Sequence, residues 1–499
     1  MNCKNIELYV HIPFCVRKCA YCDFLSGPAD AEIQRRYVDR LIEEIRNTGK
    51  GAKVTFPCTV REALVPAVRA RHNGTMAPDA STRKAAGGAI VPVTLPPVSS
   101  VFFGGGTPSV LPADLICRIM ETIRSCFNLT EDAEISMEAN PGTVDAEKLA
   151  AYRKAGINRI SFGCQSTDNE ELKALGRIHT WEQFLESYSL ARQAGFKNIN
   201  VDLMSGLPGQ TVDSWKKSLI TVANLDNGYG NIGDCSRGPE HLSAYSLILE
   251  EGTPFYERRD NLDLPDEDSE RIMYECTHEV LEQYGYHQYE ISNYARDGRE
   301  CRHNKGYWTG VPYLGFGLGA SSLWGSVRYH NTRKMKTYLE TPDNSNPILG
   351  VFTDADSRSS AGINHGTDFE ITADHGTTAD HKTTADHEAA ADHETTADHN
   401  ITADQEIAVS PGDIVGIRIT DEVLSKKDQE AEFMITGLRM TRGISKSDFA
   451  DRFGETVESV YGKVIHEYRD KQLLKDEDGR IFLTRRGISL SNLVMADFL

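Results

Sequence analysis

Three cysteines, Cys15, Cys19 and Cys22, fall in one short run, Tyr9-Val-His-Ile-Pro-Phe-Cys-Val-Arg-Lys-Cys-Ala-Tyr-Cys-Asp-Phe24. Three thiolates in a C-x3-C-x2-C spacing can hold three irons of a [4Fe–4S] cube, which leaves the fourth iron without a protein ligand. An open iron is a place where a substrate or cofactor can coordinate. A structural zinc site is the competing reading. Zinc takes four ligands, usually supplied as two pairs, and the chain has no second C-x2-C pair.

A second stretch with chemical potential is Ser99-Ser-Val-Phe-Phe-Gly104-Gly105-Gly106-Thr107-Pro108, a strand pattern running into glycines. Without a Cβ, such a loop lets backbone N–H groups approach a ligand closely. It is not a phosphate loop, because no Gly-Lys-Ser/Thr follows; a simple tight turn is the alternative. Further on, polar residues stand at or near the ends of apolar runs: Glu138, Gln165 and Asp202, with Arg177 in Leu-Gly-Arg-Ile-His179. Each alone is commonly a cap or a salt-bridging surface group, whereas four facing one mouth would be a binding constellation. His303, beside Tyr307 and Trp308, offers an imidazole for an axial iron and aromatic faces for a flat macrocycle. A hydrogen-bonded histidine among core aromatics explains the same spacing.

These residues need elements to position them. Residues 6–12 read as a first strand ended by Pro13, and Ile33, Tyr37, Leu41 and Ile45 mark one face of a helix. Strands are expected at 134–138, 159–163, 198–204 and 241–250, and helices at 145–155 and 181–194. The stretches beginning Arg153-Lys-Ala-Gly and Arg192-Gln-Ala-Gly each join a helix to a strand, at an offset of 192 − 153 = 39 residues. Alternation of this kind predicts an α/β fold whose parallel sheet curls into a partial (β/α) TIM-like barrel. Ligands of such barrels sit at the C-terminal ends of the strands. The run Gly315-Phe-Gly317-Leu-Gly319 lacks the spacing of a dinucleotide fingerprint and reads as close-packed backbone. Residues 427–499 regain a helical pattern with a strand at 480–484, which predicts a small α+β, winged-helix-like domain.

Length and charge narrow the reading. A barrel takes about 250 residues, so 499 residues leave room for further parts. We divide the chain into a barrel core (1–250), a connecting region (251–340), a low-complexity insert (341–426) and the C-terminal domain (427–499). Within the core, residues 48–97 lack periodicity and read as an inserted, mobile surface segment. Within the low-complexity insert, Ala-Asp-His recurs from Asp374-His375 to Asp398-His399, a polar repeat with little to build a core. A net charge of −19 argues against a nucleic-acid partner and against a basic membrane-binding face. There is no run of 18 apolar residues and no apolar leader before the cysteine loop. Eleven cysteines with three clustered fit a reducing compartment, and a soluble, cytoplasmic protein is expected.

The cysteine spacing behind an apolar strand resembles the radical S-adenosylmethionine (SAM) superfamily, in which the open iron chelates SAM. The wider set of motifs resembles its HemN-like branch, that of anaerobic coproporphyrinogen III oxidase. Cys22-Asp-Phe24, Glu138-Ala-Asn-Pro-Gly-Thr143, Leu175-Gly-Arg-Ile-His179 and His303-Asn-x-x-Tyr-Trp308 are similar to the HemW-like haem chaperones. The resemblance covers most of the chain outside the two biased segments. It implies a radical SAM barrel and a [4Fe–4S] cluster on Cys15, Cys19 and Cys22. It carries SAM contacts onto Tyr9, Gly105, Gly106, Thr107, Glu138, Gln165, Arg177 and Asp202, and it raises His303 as a haem contact. Haem would be cargo for acceptor proteins such as respiratory enzymes, with an electron donor for the cluster. The alternative within the branch is the oxygen-independent coproporphyrinogen III oxidase, a decarboxylase. That enzyme carries one further cysteine where this chain has Phe24. A third reading, a radical SAM enzyme that modifies tRNA, sits poorly with the acidic chain.

Overall fold

In the first strand, β1 (Ile6–Ile12), Ile6, Leu8, Val10 and Ile12 are fully buried on one face. Glu7, Tyr9 and His11 fall on the other, because successive side chains in a strand alternate. The computed structural model describes residues 4–50, 53–55, 90–92, 95–225, 238–341 and 414–499. Most of the segment expected to be inserted at 48–97 lies outside the described residues, as do the Ala-Asp-His repeats. Helix α1 (Ala31–Lys50) follows the cysteine loop and is longer than its apolar spacing suggested. A short antiparallel pair, β2 (Lys53–Thr55) and β3 (Ile90–Pro92), then leads to β4 (Val98–Gly105).

From β4 the chain alternates through α2 (Ala113–Cys126), β5 (Leu129–Ala139), α3 (Ala146–Ala155), β6 (Arg159–Gln165), α4 (Asn169–Ala174), α5 (Trp181–Gln193), β7 (Ile199–Ser205), α6 (Val212–Ala223) and β8 (His241–Ser246). Strands β1, β4, β5, β6, β7 and β8 lie side by side, all parallel. Their register keeps the division seen in β1. Leu8 pairs with Val101, Met137 with Ile160 and Val201 with Leu242, and these belong to the main apolar core. The opposite face gathers Glu7, Ser100, Glu134, Glu138, Ser161, Asn200, Asp202 and His241. An all-parallel sheet normally buries apolar residues on both faces; here the concave face is polar.

The two Arg-x-Ala-Gly stretches do equivalent work. Gly156 and Gly195 cap α3 and α5 in the left-handed conformation, at φ 95° and 88°. Arg153 and Arg192 donate to the carbonyls of Ile157 and Phe196, at 2.7 and 3.2 Å. The repeat is therefore a helix-end device that returns the chain to the sheet.

After β8 come α7 (Pro254–Glu257), α8 (Glu267–Gln283), β9 (His287–Gln288), β10 (Asn293–Ala295), α9 (Arg302–Trp308), β11 (Tyr313–Phe316), β12 (Ser321–Trp324), β13 (Val327–Asn331), α10 (Met335–Glu340), β14 (Ile414–Val415) and β15 (Arg418–Val423). Strand β11 is parallel to β1 on its free side, and β12, β13, β15 and β14 extend the sheet antiparallel. Beyond β8 stand β10 and β9. The thirteen-stranded sheet thus ends in two edges and forms a partial barrel. The glycine run is close-packed, as expected: a Cβ on Gly315 would stand 2.2 Å from the Ser321 carbonyl oxygen.

The C-terminal part contains α11 (Lys426–Leu438), β16 (Ile444–Ser445), α12 (Lys446–Phe453), α13 (Val457–Asp470), β17 (Leu474–Glu477), β18 (Arg480–Leu483), α14 (Arg485–Ser489) and α15 (Ser491–Ala496). Helices pack on a small antiparallel sheet through Met434, Phe449, Ile465, Ile481 and Phe498. The helical stretch that closes this part is broken into two helices, because Leu490 leaves helical backbone at φ −115°. The strand expected over 241–250 stops at Ser246.

Candidate functional site

The cysteine loop leaves β1 and folds back beside the glycine loop of β4. Gly106 N–H donates to the Ile12 carbonyl (2.8 Å) and Thr107 N–H to that of Phe14 (2.7 Å). The approach is close enough that a Cβ on Gly106 would stand 2.7 Å from the Phe14 oxygen and 3.0 Å from Cys15 Sγ. Gly105, at φ 115°, is pressed against the His11 ring; no other residue suits that position. On its far side the loop is held by backbone bonds from Ala20 N–H to the Leu175 carbonyl and from Phe255 N–H to that of Ala20.

Between these loops a cavity of about 580 Å³ opens at the C-terminal ends of the strands. Cys15, Cys19 and Cys22 line it, all as free thiols. So do Gly105, Gly106, Thr107, Glu138, Gln165, Arg177 and Asp202. Of the contacts expected for SAM, Tyr9 alone is not in this lining. It sits on the concave face below, 3.0 Å from His11 Nδ1 and stacked on Phe102.

Cys15 Sγ lies 3.5 Å from Thr107 Oγ1, and Arg177 donates to Cys19 Sγ at 3.5 Å. Arg177 also donates to Asn140 Oδ1 (2.8 Å) and to the Gly163 carbonyl (2.6 Å), while its Nε is buried without a partner. Asn140 in turn donates to Thr107 Oγ1 at 2.8 Å and so ties the guanidinium to the glycine loop. Gln165 holds a left-handed backbone, φ 72°, where the pairing with β7 shifts register. Strain of this kind collects at functional sites. It leaves the Gln165 carboxamide accepting from Tyr245 Oη at 2.8 Å. Glu138 and Asp202 face the same space. Burial, and then the charge of Asp202, push Glu138 up to about 8. Burial also raises Asp202, against hydrogen bonds from Ser243, Asn200 and Ser161.

This donor set fits the groups expected from the sequence. The thiol of Cys22 is raised first by burial and then by Cys19 and Cys15, a crowding that an iron cluster would relieve. Among the described residues, no group of three His, Cys, Asp or Glu side chains is placed to hold a single metal ion. The unpartnered Arg177 Nε suits a carboxylate, and two carboxyls raised by burial, Glu138 also by the Asp202 charge, suit an amine or sulfonium. Asn140 and Tyr245 were not singled out from the sequence. Asn140 stands two residues beyond Glu138 at the end of β5, so the same strand-end logic reaches it.

His303 lies elsewhere. It is 1% exposed, with Nδ1 2.8 Å from Ser100 Oγ and Nε2 3.0 Å from Tyr307 Oη. Its ring stacks on Phe102. Burial lowers it to about 3 and raises the neighbouring Glu7 to about 9, so their 3.5 Å contact joins two neutral groups. The expectation of an iron-ligating His303 therefore meets a core histidine whose two ring nitrogens are both engaged.

The radical SAM superfamily model matches residues 92–221, and the HemN C-terminal domain model matches 424–490. The heme chaperone HemW of Bacillus subtilis is 29% identical over 494 residues, covering 98% of this chain and 98% of that protein. The heme chaperone HemW of Escherichia coli is 35% identical over 333 residues, covering 66% of this chain and 73% of that protein. Among solved structures, E. coli coproporphyrinogen III oxidase (HemN), a radical SAM enzyme, shares the fold with a TM-score of 0.67. Its identity is 19%, over 99% of this chain and 90% of that one. With its cysteine cavity, open parallel barrel and C-terminal module, the chain belongs to the HemW-like family within the HemN branch of the radical SAM superfamily.

Proposed function

We propose that the protein is a haem carrier: it binds a [4Fe–4S] cluster and SAM in the barrel cavity and passes haem to acceptor proteins. Cys15, Cys19 and Cys22 hold the cluster. Gly105, Gly106 and Thr107 offer backbone and hydroxyl groups to SAM. Glu138 and Asp202 take its cationic and hydroxyl parts, Arg177 its carboxylate, and Gln165 closes the side wall. Tyr9 supports the floor of the site. When bound, the cluster supplies a single electron and an iron with an open position. The residues around it orient SAM and keep water from its reactive end. An electron donor and haem-accepting proteins, respiratory enzymes among them, are the partners. Among the described residues no helix is long and apolar enough to cross a membrane, which accords with a cytoplasmic protein.

The observation that carries this reading is the convergence on one cavity of three thiols, a glycine loop and a guanidinium whose Nε has no partner. What favours a carrier over a decarboxylase is Phe24. It lines the cavity and is 63% exposed, where the oxidase would place another thiol. His303 acts indirectly, by holding Tyr307 in place. The test is titration of the anaerobically reconstituted protein with haem, beside an assay with coproporphyrinogen III. Haem binding with no SAM-dependent decarboxylation is expected. Efficient conversion of coproporphyrinogen III would replace the carrier with the oxidase.

A further inference from the structure

We propose that the cargo macrocycle sits in a second cavity, walled by α9 and β12 on one side and α11 on the other, with its carboxylates held by Arg442 and Arg480. This rests on the haem-carrier reading and adds to it where the cargo lies and which chemistry holds it.

The cavity measures about 960 Å³, near the upper end of the roughly 300–1,000 Å³ typical of small-molecule sites. Its apolar lining comes from separate elements: Trp308, Tyr313 and Leu323 from the barrel side, and Phe433, Met440 and Ile444 from the C-terminal side. Tyr307 and Tyr313 meet edge-on with centroids 4.7 Å apart, which fixes the aromatic wall. The indole Nε1 of Trp308 is buried without a hydrogen-bond partner. A broad apolar ligand with polar groups at its rim suits such a wall.

The charged part of the lining is mostly cationic. Lys4, Arg328, Arg442, Arg452 and Arg480 stand against two carboxylates, Glu432 and Asp448, in a chain of net charge −19. Glu432 is already paired with Arg328 at 2.5 Å. Arg480 donates to the carbonyls of Arg442 and Gly443 at 2.8 and 2.7 Å. The Arg480 guanidinium therefore lies against the Arg442–Gly443 backbone, and both arginines line the same cavity. Burial and then the Arg442 charge push Arg480 down. Among the described residues neither arginine has a carboxylate within salt-bridge distance. Two cations beside aromatic walls call for an anion on an apolar body, and a porphyrin with two propionates has that form.

Among the described residues, no histidine or cysteine lines this cavity. Ring faces and carboxylates then hold the cargo, and the metal contributes little. The reading predicts that metal-free protoporphyrin IX binds about as well as haem, and that its dimethyl ester binds poorly. A cargo held without a strong axial ligand is also easily surrendered to an acceptor that has one.

The test titrates the full, anaerobically reconstituted chain with haemin, with protoporphyrin IX and with its dimethyl ester, followed by Soret absorbance. Arg442→Glu, at an exposed position, should weaken haemin and protoporphyrin IX on the order of tenfold or more. Leu323→Trp, which fills the cavity from β12, should weaken both as well. Unchanged cluster absorbance in both variants reports an intact fold. If haemin binds wild type and both variants alike, the cargo lies elsewhere and this inference fails while the carrier reading stands. If wild type binds no haemin, the carrier reading falls and this inference with it.

Discussion

The two ends of the barrel carry similar side chains and do different things. At the C-terminal ends, Glu138, Asp202 and Arg177 surround open space beside three thiols. At the opposite end, Glu134 and Arg159 are as buried and as polar, but α9 stops that end. Glu134 accepts from the Arg302 and His303 N–H groups and from Cys301 Sγ. Gly306 packs so tightly on Glu7 that a Cβ would stand 2.1 Å from the Glu7 carboxyl. Polar residues on the concave face are thus common to both ends. What sets the C-terminal end apart is three thiols beside a glycine loop and Arg177, lining one cavity.

The sharpest way to break this comparison is to exchange a thiol at each end. Cys19→Ser should abolish the iron content and brown colour of the reconstituted protein, while Cys301→Ser leaves iron unchanged. Iron that survives Cys19→Ser would remove the cluster assignment. A large effect is also expected from Glu138→Gln. Because Glu138 is raised to about 8 in the fold, its contribution to stability is fully present below its unfolded pKa and is lost as pH rises toward 8. Without SAM, the variant should match wild type near pH 4.5 and exceed it at pH 8, on the order of a few kcal/mol in denaturant unfolding. It should nonetheless bind SAM more weakly.

Arg177→Lys keeps the charge but loses the planar fork that spans Asn140, Gly163 and Cys19. Calorimetry should show SAM affinity reduced roughly tenfold to a hundredfold, as for a hydrogen bond to a charged group. Gly306→Ala should cost about 1–3 kcal/mol of stability through overpacking and retain iron. Gly106→Ala should also cost stability, since its Cβ would meet the Phe14 carbonyl at 2.7 Å, and in addition should lose iron, because Cys15 Sγ stands at 3.0 Å. The smallest effect is expected from removing residues 365–405, which should leave the haem titration unmoved; a marked loss of affinity would give the His repeat a role.

What the sequence made legible was local. The cysteine spacing, the period-two strands and the paired Arg-x-Ala-Gly helix ends each lie within a few residues of chain. The position of His303 was not legible, because Ser100, its hydrogen-bond partner, is 203 residues away. Glu138 and Glu134 sit in the same strand and could not be told apart, since only the packing of α9 closes one end. Strand β17, Leu-Lys-Asp-Glu, has a single buried apolar residue and so gave no alternation. The left-handed Gln165 left no mark in composition, for glycine is the residue that usually advertises such a backbone. The second cavity joins Trp308 to Phe433 across more than a hundred positions, beyond any periodic pattern.

The short β2–β3 ladder carries a practical consequence. It pairs Lys53 with Pro92 and Thr55 with Ile90, so the chain leaves and re-enters at one doorstep before Val98 rejoins the sheet. Closing a longer excursion from such a stem costs only about 0.6 kcal/mol for each doubling of its length. The barrel should therefore accept a fluorescent protein grafted between those strands, giving a handle for following this protein in living cells.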